Sequence, residues 1–300
     1  MKYNTWINIL LLLSILFISV ILYKNTFDKL KSVDGFTQKE NFVLNKENEI
    51  YDDFYTVIYD KITIPHRHVP FEIKTVLKTT GATEENSIIL DIGSGTGYLV
   101  SQLTDLGYKA YGLDKSKSMV DYSTNRYQNI IVKNDDATNS MCYEKGTFSH
   151  IFCIYYTIYS IKERIDFFRN CHYWLKPGGY LVLHLVEPLK YDITSPCAKD
   201  PIFGSSKKHL NDNSNDSIVI FKDFKYKASY EYNEKRKEVI ATETITDIQT
   251  NHIRQNEQTL YMEEIKIILS ELNYCGFISH AKFKYVEDEY QFLYIIERET

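Results

Sequence analysis

One acid followed by three alternating glycines, Asp91-Ile-Gly93-Ser-Gly95-Thr-Gly97, is the stretch of this chain best suited to chemistry. Glycine carries no Cβ, so the backbone can bend sharply there and a ligand can lie against it. The amides opening the segment after Gly97 point into the same space. The Asp91 carboxylate, at the end of the preceding apolar run, can accept hydrogen bonds from a polar ligand. It would repel a pyrophosphate and suits a ligand bearing an ammonium group. The spacing also differs from the Gly-x-Gly-x-x-Gly of dinucleotide sites. A second acid, Asp114, follows 23 residues after Asp91. Its carboxylate can accept both hydroxyls of a ribose, which supports an adenosine ligand without choosing between these two classes.

These groups need a scaffold, and the neighbouring periodicities describe one. Ile88–Ile92 is a short apolar run that reads as a strand, and Tyr98–Leu106 has helical spacing. Lys109–Asp114 is a second strand, followed by a helix that Ser116 or Ser118 can cap and that carries Met119 and Tyr122. A third strand, 130–133, runs into Asn134-Asp-Asp-Ala137. Phe148–Ile154 is a fourth strand, with Tyr155-Tyr-Thr-Ile-Tyr159 behind it. Helix 163–175 is stopped by Lys176-Pro-Gly-Gly179, where proline presets a turn and glycine permits positive φ. Tyr180–Val186 is a continuous apolar run suited to a strand buried on both faces.

At these motifs the chain resembles the class I S-adenosylmethionine-dependent methyltransferases, in particular the small-molecule, type 11-like group. The shared pieces are Asp-x-Gly-x-Gly-x-Gly after a strand, the acid ending the second strand, Asp136-Ala137 after the third, and Leu-Lys-Pro-Gly-Gly before the fifth. The resemblance implies an α/β, Rossmann-like fold with a seven-stranded, mostly parallel sheet and a reversed terminal strand. It implies S-adenosyl-L-methionine as cofactor, held by Asp91, Gly93, Gly95, Gly97, Asp114, Met119, Asp136, Ala137 and Ile154. Asp135 reads as a solvated loop residue. No Asn/Asp-Pro-Pro-Tyr follows the fourth strand, which disfavours methylation of adenine amino groups or glutamine side chains. No Pro-Cys pair stands there either, which disfavours cysteine-assisted methylation of cytosine.

The carboxyl half adds to this core. Residues 189–216 are rich in Ser, Asn, Asp, Lys and Pro and read as a long mobile loop. Residues 217–221, 224–232 and 238–248 alternate as antiparallel strands. Together 188–258 reads as a loop and β insertion, which resembles the sheet covering the substrate in the glycine N-methyltransferase-like group. Arg254 is then a candidate for binding an anionic substrate group. A helix over 261–273 precedes Gly276, which is placed to end it. Ile278–Val286 and Tyr290–Ile296 form a closing hairpin.

The amino terminus is expected to differ in kind. Trp6–Leu22 is almost wholly apolar, and as a helix it would be about 26 Å long. Residues 1–23 therefore read as a transmembrane anchor, 24–46 as a tether and 47–300 as the methyltransferase domain. Lys24, Lys29, Lys31 and Lys39 after the span, against Lys2 before it, place that domain in the cytosol. Residues 47–62 read as an amphipathic helix with Tyr51, Tyr55 and Tyr59 on one stripe. His66-Arg-His68 reads as a solvated loop, since no third metal ligand has matching spacing, and no metal site is expected.

Net charge of -5 and 25% charged residues give no nucleic-acid footprint. Five scattered cysteines argue against a disulfide framework or zinc site. The combined expectation is a single-pass membrane methyltransferase acting on a small-molecule, lipid or protein acceptor. Tyr59, Tyr155, Tyr156 and His184 are its candidate catalytic residues. A nicotinamide-dependent oxidoreductase and a non-catalytic S-adenosylmethionine-binding scaffold are the alternatives.

Overall fold

The computed structural model describes residues 13–14, 16–20, 38, 40–199 and 216–300. Residues 40–300 form one compact unit. In chain order it holds strand β1 (Phe42–Lys46), helices α1 (Asp53–Thr63) and α2 (Val69–Thr80), then β2 (Ile88–Ile92), α3 (Tyr98–Asp105), β3 (Lys109–Asp114), α4 (Lys117–Arg126) and β4 (Ile131–Asn134). Next come β5 (Phe148–Cys153), α5 (Arg164–Trp174), β6 (Leu175–Val186) and strands β7 (Ser217–Ile220), β8 (Phe224–Asn233), β9 (Glu238–Asp247) and β10 (Ile253–Tyr261). Helix α6 (Ile265–Tyr274) and strands β11 (Phe277–Lys284) and β12 (Gln291–Arg298) complete it.

Seven strands build the main sheet in the order β11-β12-β6-β5-β2-β3-β4. Strands β6, β5, β2, β3 and β4 run parallel, and β12 is antiparallel to both β6 and β11. The reversed strand of the expected fold is therefore β12. Both sheet faces are covered. On one, Ile73, Val76, Leu99, Val100 and Leu103 of α2 and α3 pack over Ile89 and Val182. On the other, Phe167, Phe168 and Trp174 of α5 pack with Ile268 and Leu272 of α6 over Leu90 and Leu183. The Lys176-Pro-Gly-Gly179 segment lies within β6, as an irregularity in its pairing with β5, with Gly178 at φ +70.

A second, five-stranded sheet has the order β1-β10-β9-β8-β7. Its β7–β10 strands are antiparallel, as the alternating patterns of 217–248 predict, and Val239 and Leu260 join it to the first core cluster. Two expectations change here. Phe42–Lys46 is not tether but a strand, paired in parallel with β10 from Phe42↔Ile253 to Lys46↔Glu257. Helix α6 starts at Ile265 rather than Tyr261, because Leu260 and Tyr261 are taken up by β10.

The membrane anchor and the single-pass, cytosol-facing placement drawn from it are overturned. Among the described residues no helix is long and apolar enough to cross a membrane. Most of Trp6–Leu22 and of the tether lies outside the described residues.

Candidate active site

The glycine turn joins β2 to α3 with all three glycines left-handed: φ is +69 at Gly93, +50 at Gly95 and +77 at Gly97. The reasons for glycine differ along it. A Cβ on Gly93 would sit 2.6 Å from Thr157 Cγ2, and one on Gly97 would sit 2.8 Å from Ile130 Cδ1 and 2.9 Å from Ser123 Cβ. A Cβ on Gly95 would meet nothing closer than the Tyr59 ring at 3.7 Å. Gly97 serves packing between elements, whereas Gly95 leaves open space on the cavity side. Gly93 and Ser94 donate to Leu113 O at 2.8 and 3.2 Å, tying the turn to β3.

Asp114, at the end of β3, accepts from Gly95 N through Oδ2 and from Ser116 N through Oδ1, both at 2.8 Å. Each oxygen keeps a further lone pair for a ligand. Burial raises its pKa, partly offset by these two bonds. Asp91 is 4% exposed, and burial, then the like charges of Glu72 and Asp114, push its carboxyl well above the ordinary range. Such a group is matched by an incoming cation. Ser116 caps α4 by accepting from Met119 N, which seats Met119 at the cavity wall.

The turn, Asp114 and Met119 border a cavity of about 390 Å³ that runs from the glycine turn to the second sheet, and Asp91 and Gly97 lie behind its lining. Gly93, Gly95, Asp114, Met119, Asp136 and Ala137 line one end. Asp136 is exposed and accepts from Thr138, while the Ala137 carbonyl accepts from Asn170 Nδ2 at 3.0 Å. Asp135, expected in solvent, also lines the cavity; hydrogen bonds led by Asn139 hold its carboxyl low. Ile154 is not brought to the cavity: it is buried in the core cluster beside α2 and α3. The open cradle at Gly95 and the paired lone pairs of Asp114 fit an adenosine ligand.

Residues 89–179 match the family described as the methyltransferase domain. Over these residues the chain carries a methyltransferase domain. No curated protein matches the sequence. Among solved structures, the CcbJ methyltransferase from Streptomyces caelestis superposes with a TM-score of 0.64 at 14% identity, over 85% of this chain and 100% of that one. An S-adenosylmethionine-dependent methyltransferase from Clostridium acetobutylicum gives 0.62 at 14% identity, over 82% and 98%. A SAM-bound amino pentose methyltransferase from Micromonospora echinaspora gives 0.57 at 17% identity, over 81% and 96%. Identities this low establish the shared fold.

The methyltransferase cavity is also walled by tyrosines. Tyr51, Tyr55 and Tyr59 of the α1 region meet edge to face at 5.7–6.5 Å between centroids. Tyr55 and Tyr226 hydroxyls donate to Glu243 at 2.6 and 2.7 Å. Tyr155 and Tyr156 follow β5 in the left-handed region, at φ +53 and +66, which costs about 1–3 kcal/mol each where a side chain is present. His184 on β6 is 4% exposed; its Nε2 bonds Gln291 Oε1 at 3.0 Å and its Nδ1 has no partner. Burial lowers its pKa to about 4, so the ring is neutral. Tyr59, Tyr155, Tyr156 and His184 therefore share one cavity.

Arg254 is placed elsewhere. It is 5% exposed and donates to Asp52 Oδ2 at 2.7 Å, Ile50 O at 2.9 Å and Asn256 Oδ1 at 3.0 Å. Its guanidinium lies over Phe54 and is absent from the cavity lining. It ties β10 to the start of α1 rather than awaiting a substrate anion. Conversely, His68 was expected in a solvated loop. It lies at the start of α2, bonds Glu72 Oε2 through Nδ1 at 3.3 Å and stacks on Tyr155 at 5.2 Å. The signal that could have found it is Pro70: proline near a helix start, with Val69, Ile73 and Val76 in phase behind it, sets Glu72 one turn after His68. Among the described residues no metal-binding cluster is present.

Proposed function

We propose that this enzyme methylates a small-molecule acceptor held between the glycine turn and the five-stranded sheet. The observation that carries this reading is the tyrosine-walled cavity, continuous from Gly95 and Asp114 to Glu243. An acceptor so enclosed is better matched by a small molecule than by a protein surface or a lipid chain. The amino pentose methyltransferase among the structural neighbours is consistent with that class.

In this reading Asp114 and the Gly93–Gly97 turn hold the adenosine part of the cofactor. Met119, Asp136 and Ala137 border its base, and Asp91 favours its ammonium group. When bound, S-adenosylmethionine supplies an electrophilic methyl on a sulfonium. The chain's own contribution is chiefly alignment: Tyr155 and Tyr156, fixed in strained backbone, and the tyrosines of α1 restrict where an acceptor can lie. They also exclude water from the reacting pair.

The test is transfer of a trideuterated methyl group from labelled S-adenosylmethionine into a cell extract separated by size. A mass shift confined to small molecules is expected. Label appearing only in protein or lipid, with the small-molecule fraction unchanged, would refute the acceptor class.

A further inference from the structure

One buried group of side chains is not used by the alignment described above. Glu72 of α2 is fully buried, accepting from His68 Nδ1 through Oε2 and from the Tyr285 hydroxyl through Oε1. Burial alone would raise this carboxyl. The hydrogen bonds from His68 and Tyr285 outweigh it, so the pKa falls below the ordinary value and the group is a carboxylate. A carboxylate on Nδ1 fixes the proton there and leaves Nε2 with its lone pair. His68 Nε2 is itself buried and has no hydrogen-bond partner.

The position of this pair gives that lone pair a use. His68, Glu72 and Tyr285 all line the cavity. The His68 ring stacks on Tyr155, two residues before Thr157, whose methyl group closes over Gly93. The charge of Glu72 also acts on Asp91. The pair therefore lies on the Tyr155–Thr157 side of the glycine turn, whereas Asp114 bonds Gly95 N. A hydrogen-bond acceptor with no donor, held by a carboxylate beside the cofactor turn, is suited to receiving a proton from a reacting group.

We propose that His68, positioned by Glu72, is the general base of the methyl transfer, and that the acceptor arrives with a protonated nucleophile, an ammonium or a hydroxyl. This rests on the methyltransferase reading above. The proton passes from the acceptor nitrogen or oxygen to His68 Nε2. The electron pair it leaves forms the bond to the methyl carbon, and the carbon–sulfur bond breaks with its pair kept by sulfur. Glu72 is a positioning residue that stabilises the imidazolium formed. An acceptor that reacts as a preformed anion needs neither residue.

The test uses the full chain and needs no knowledge of the acceptor. Sinefungin is an S-adenosylmethionine analogue bearing an amine in place of the sulfonium methyl, so it presents an N–H donor next to the position of the acceptor atom whose proton the base takes. Calorimetric affinities for sinefungin and S-adenosylhomocysteine are compared on the parent, His68→Gln and Glu72→Gln. The parent is expected to prefer sinefungin by about tenfold, the worth of a charge-assisted hydrogen bond. Both variants should lose most of that preference while keeping their affinity for S-adenosylhomocysteine. Equal affinities on the parent, or a preference that survives in His68→Gln, would overturn the base assignment and leave the cofactor site intact. A parent that binds neither compound would instead overturn the methyltransferase reading. Nitrogen-15 spectra of the histidine rings give a second readout: His68 is expected in the Nδ1–H tautomer, and an Nε2–H tautomer would overturn the proposal even if the variants fail to fold.

Discussion

Alanine at Gly95 and alanine at Gly97 should fail in different ways, although both glycines belong to one turn. Both residues have positive φ, so alanine at either carries a left-handed strain of about 1–2 kcal/mol. At Gly97 the new methyl also lands 2.8 Å from Ile130 Cδ1 and 2.9 Å from the fully buried Ser123, an overpacking of about 1–3 kcal/mol. Gly97→Ala should therefore lose about 2–5 kcal/mol of stability in total. At Gly95 the methyl meets only the Tyr59 ring at 3.7 Å, an ordinary contact, so stability should fall by the strain alone. That methyl instead occupies space a cofactor would use, and affinity for S-adenosylmethionine should drop about tenfold or more. Urea unfolding without ligand gives the first quantity and calorimetry the second. The reasoning fails if Gly95→Ala binds as tightly as the parent, or if it is destabilised as much as Gly97→Ala.

Other outcomes follow from the same geometry. Arg254→Leu should cost about 2 kcal/mol, a buried charged donor set against a half-exposed Asp52, with S-adenosylmethionine affinity unchanged in the folded protein; a selective loss of cofactor or acceptor binding would return Arg254 to the site. Tyr55→Phe should lower stability by about 1–3 kcal/mol through the lost bond to Glu243, measured by urea unfolding, and no change would show that bond to be idle. His150 and His184 are held neutral by burial at a pKa of about 4 against an ordinary 6.5. The unfolded chain takes up those protons first, so their contribution is complete above about pH 6.5 and is lost as pH falls toward about 4, roughly 2 kcal/mol per histidine at pH 5. Asp91 and Asp114, raised by burial, act in the opposite sense. His150→Gln should therefore narrow the stability difference between pH 7 and pH 5 by about 2 kcal/mol, and an unchanged difference would refute the buried-neutral assignment.

The cofactor half of the site was legible because its constraints are local. Positive φ within six residues, a strand ending in an acid and a serine cap each leave a mark that one sequence carries. The acceptor half was not, because its pairings span most of the chain. Tyr285 reaches Glu72 across 213 residues, and Tyr55 reaches Glu243 across 188. Strand β1 was missed for a similar reason: its partner β10 lies two hundred residues away, and its half-exposed, mixed pattern resembles that of a tether. Arg254 misled because burial, not sequence, decides whether a guanidinium is spent on structure. The apolar run at the amino terminus satisfied a composition rule for spanning, but among the described residues no helix is long and apolar enough to cross a membrane.

Titrating S-adenosylmethionine into the full chain and into Asp114→Asn in a calorimeter probes the cofactor site itself. One-to-one binding to the parent is expected, weakened about tenfold or more in the variant by loss of the carboxylate's charge-assisted bonds. A folded parent that gives no binding would contradict the assignment of this cavity to the cofactor.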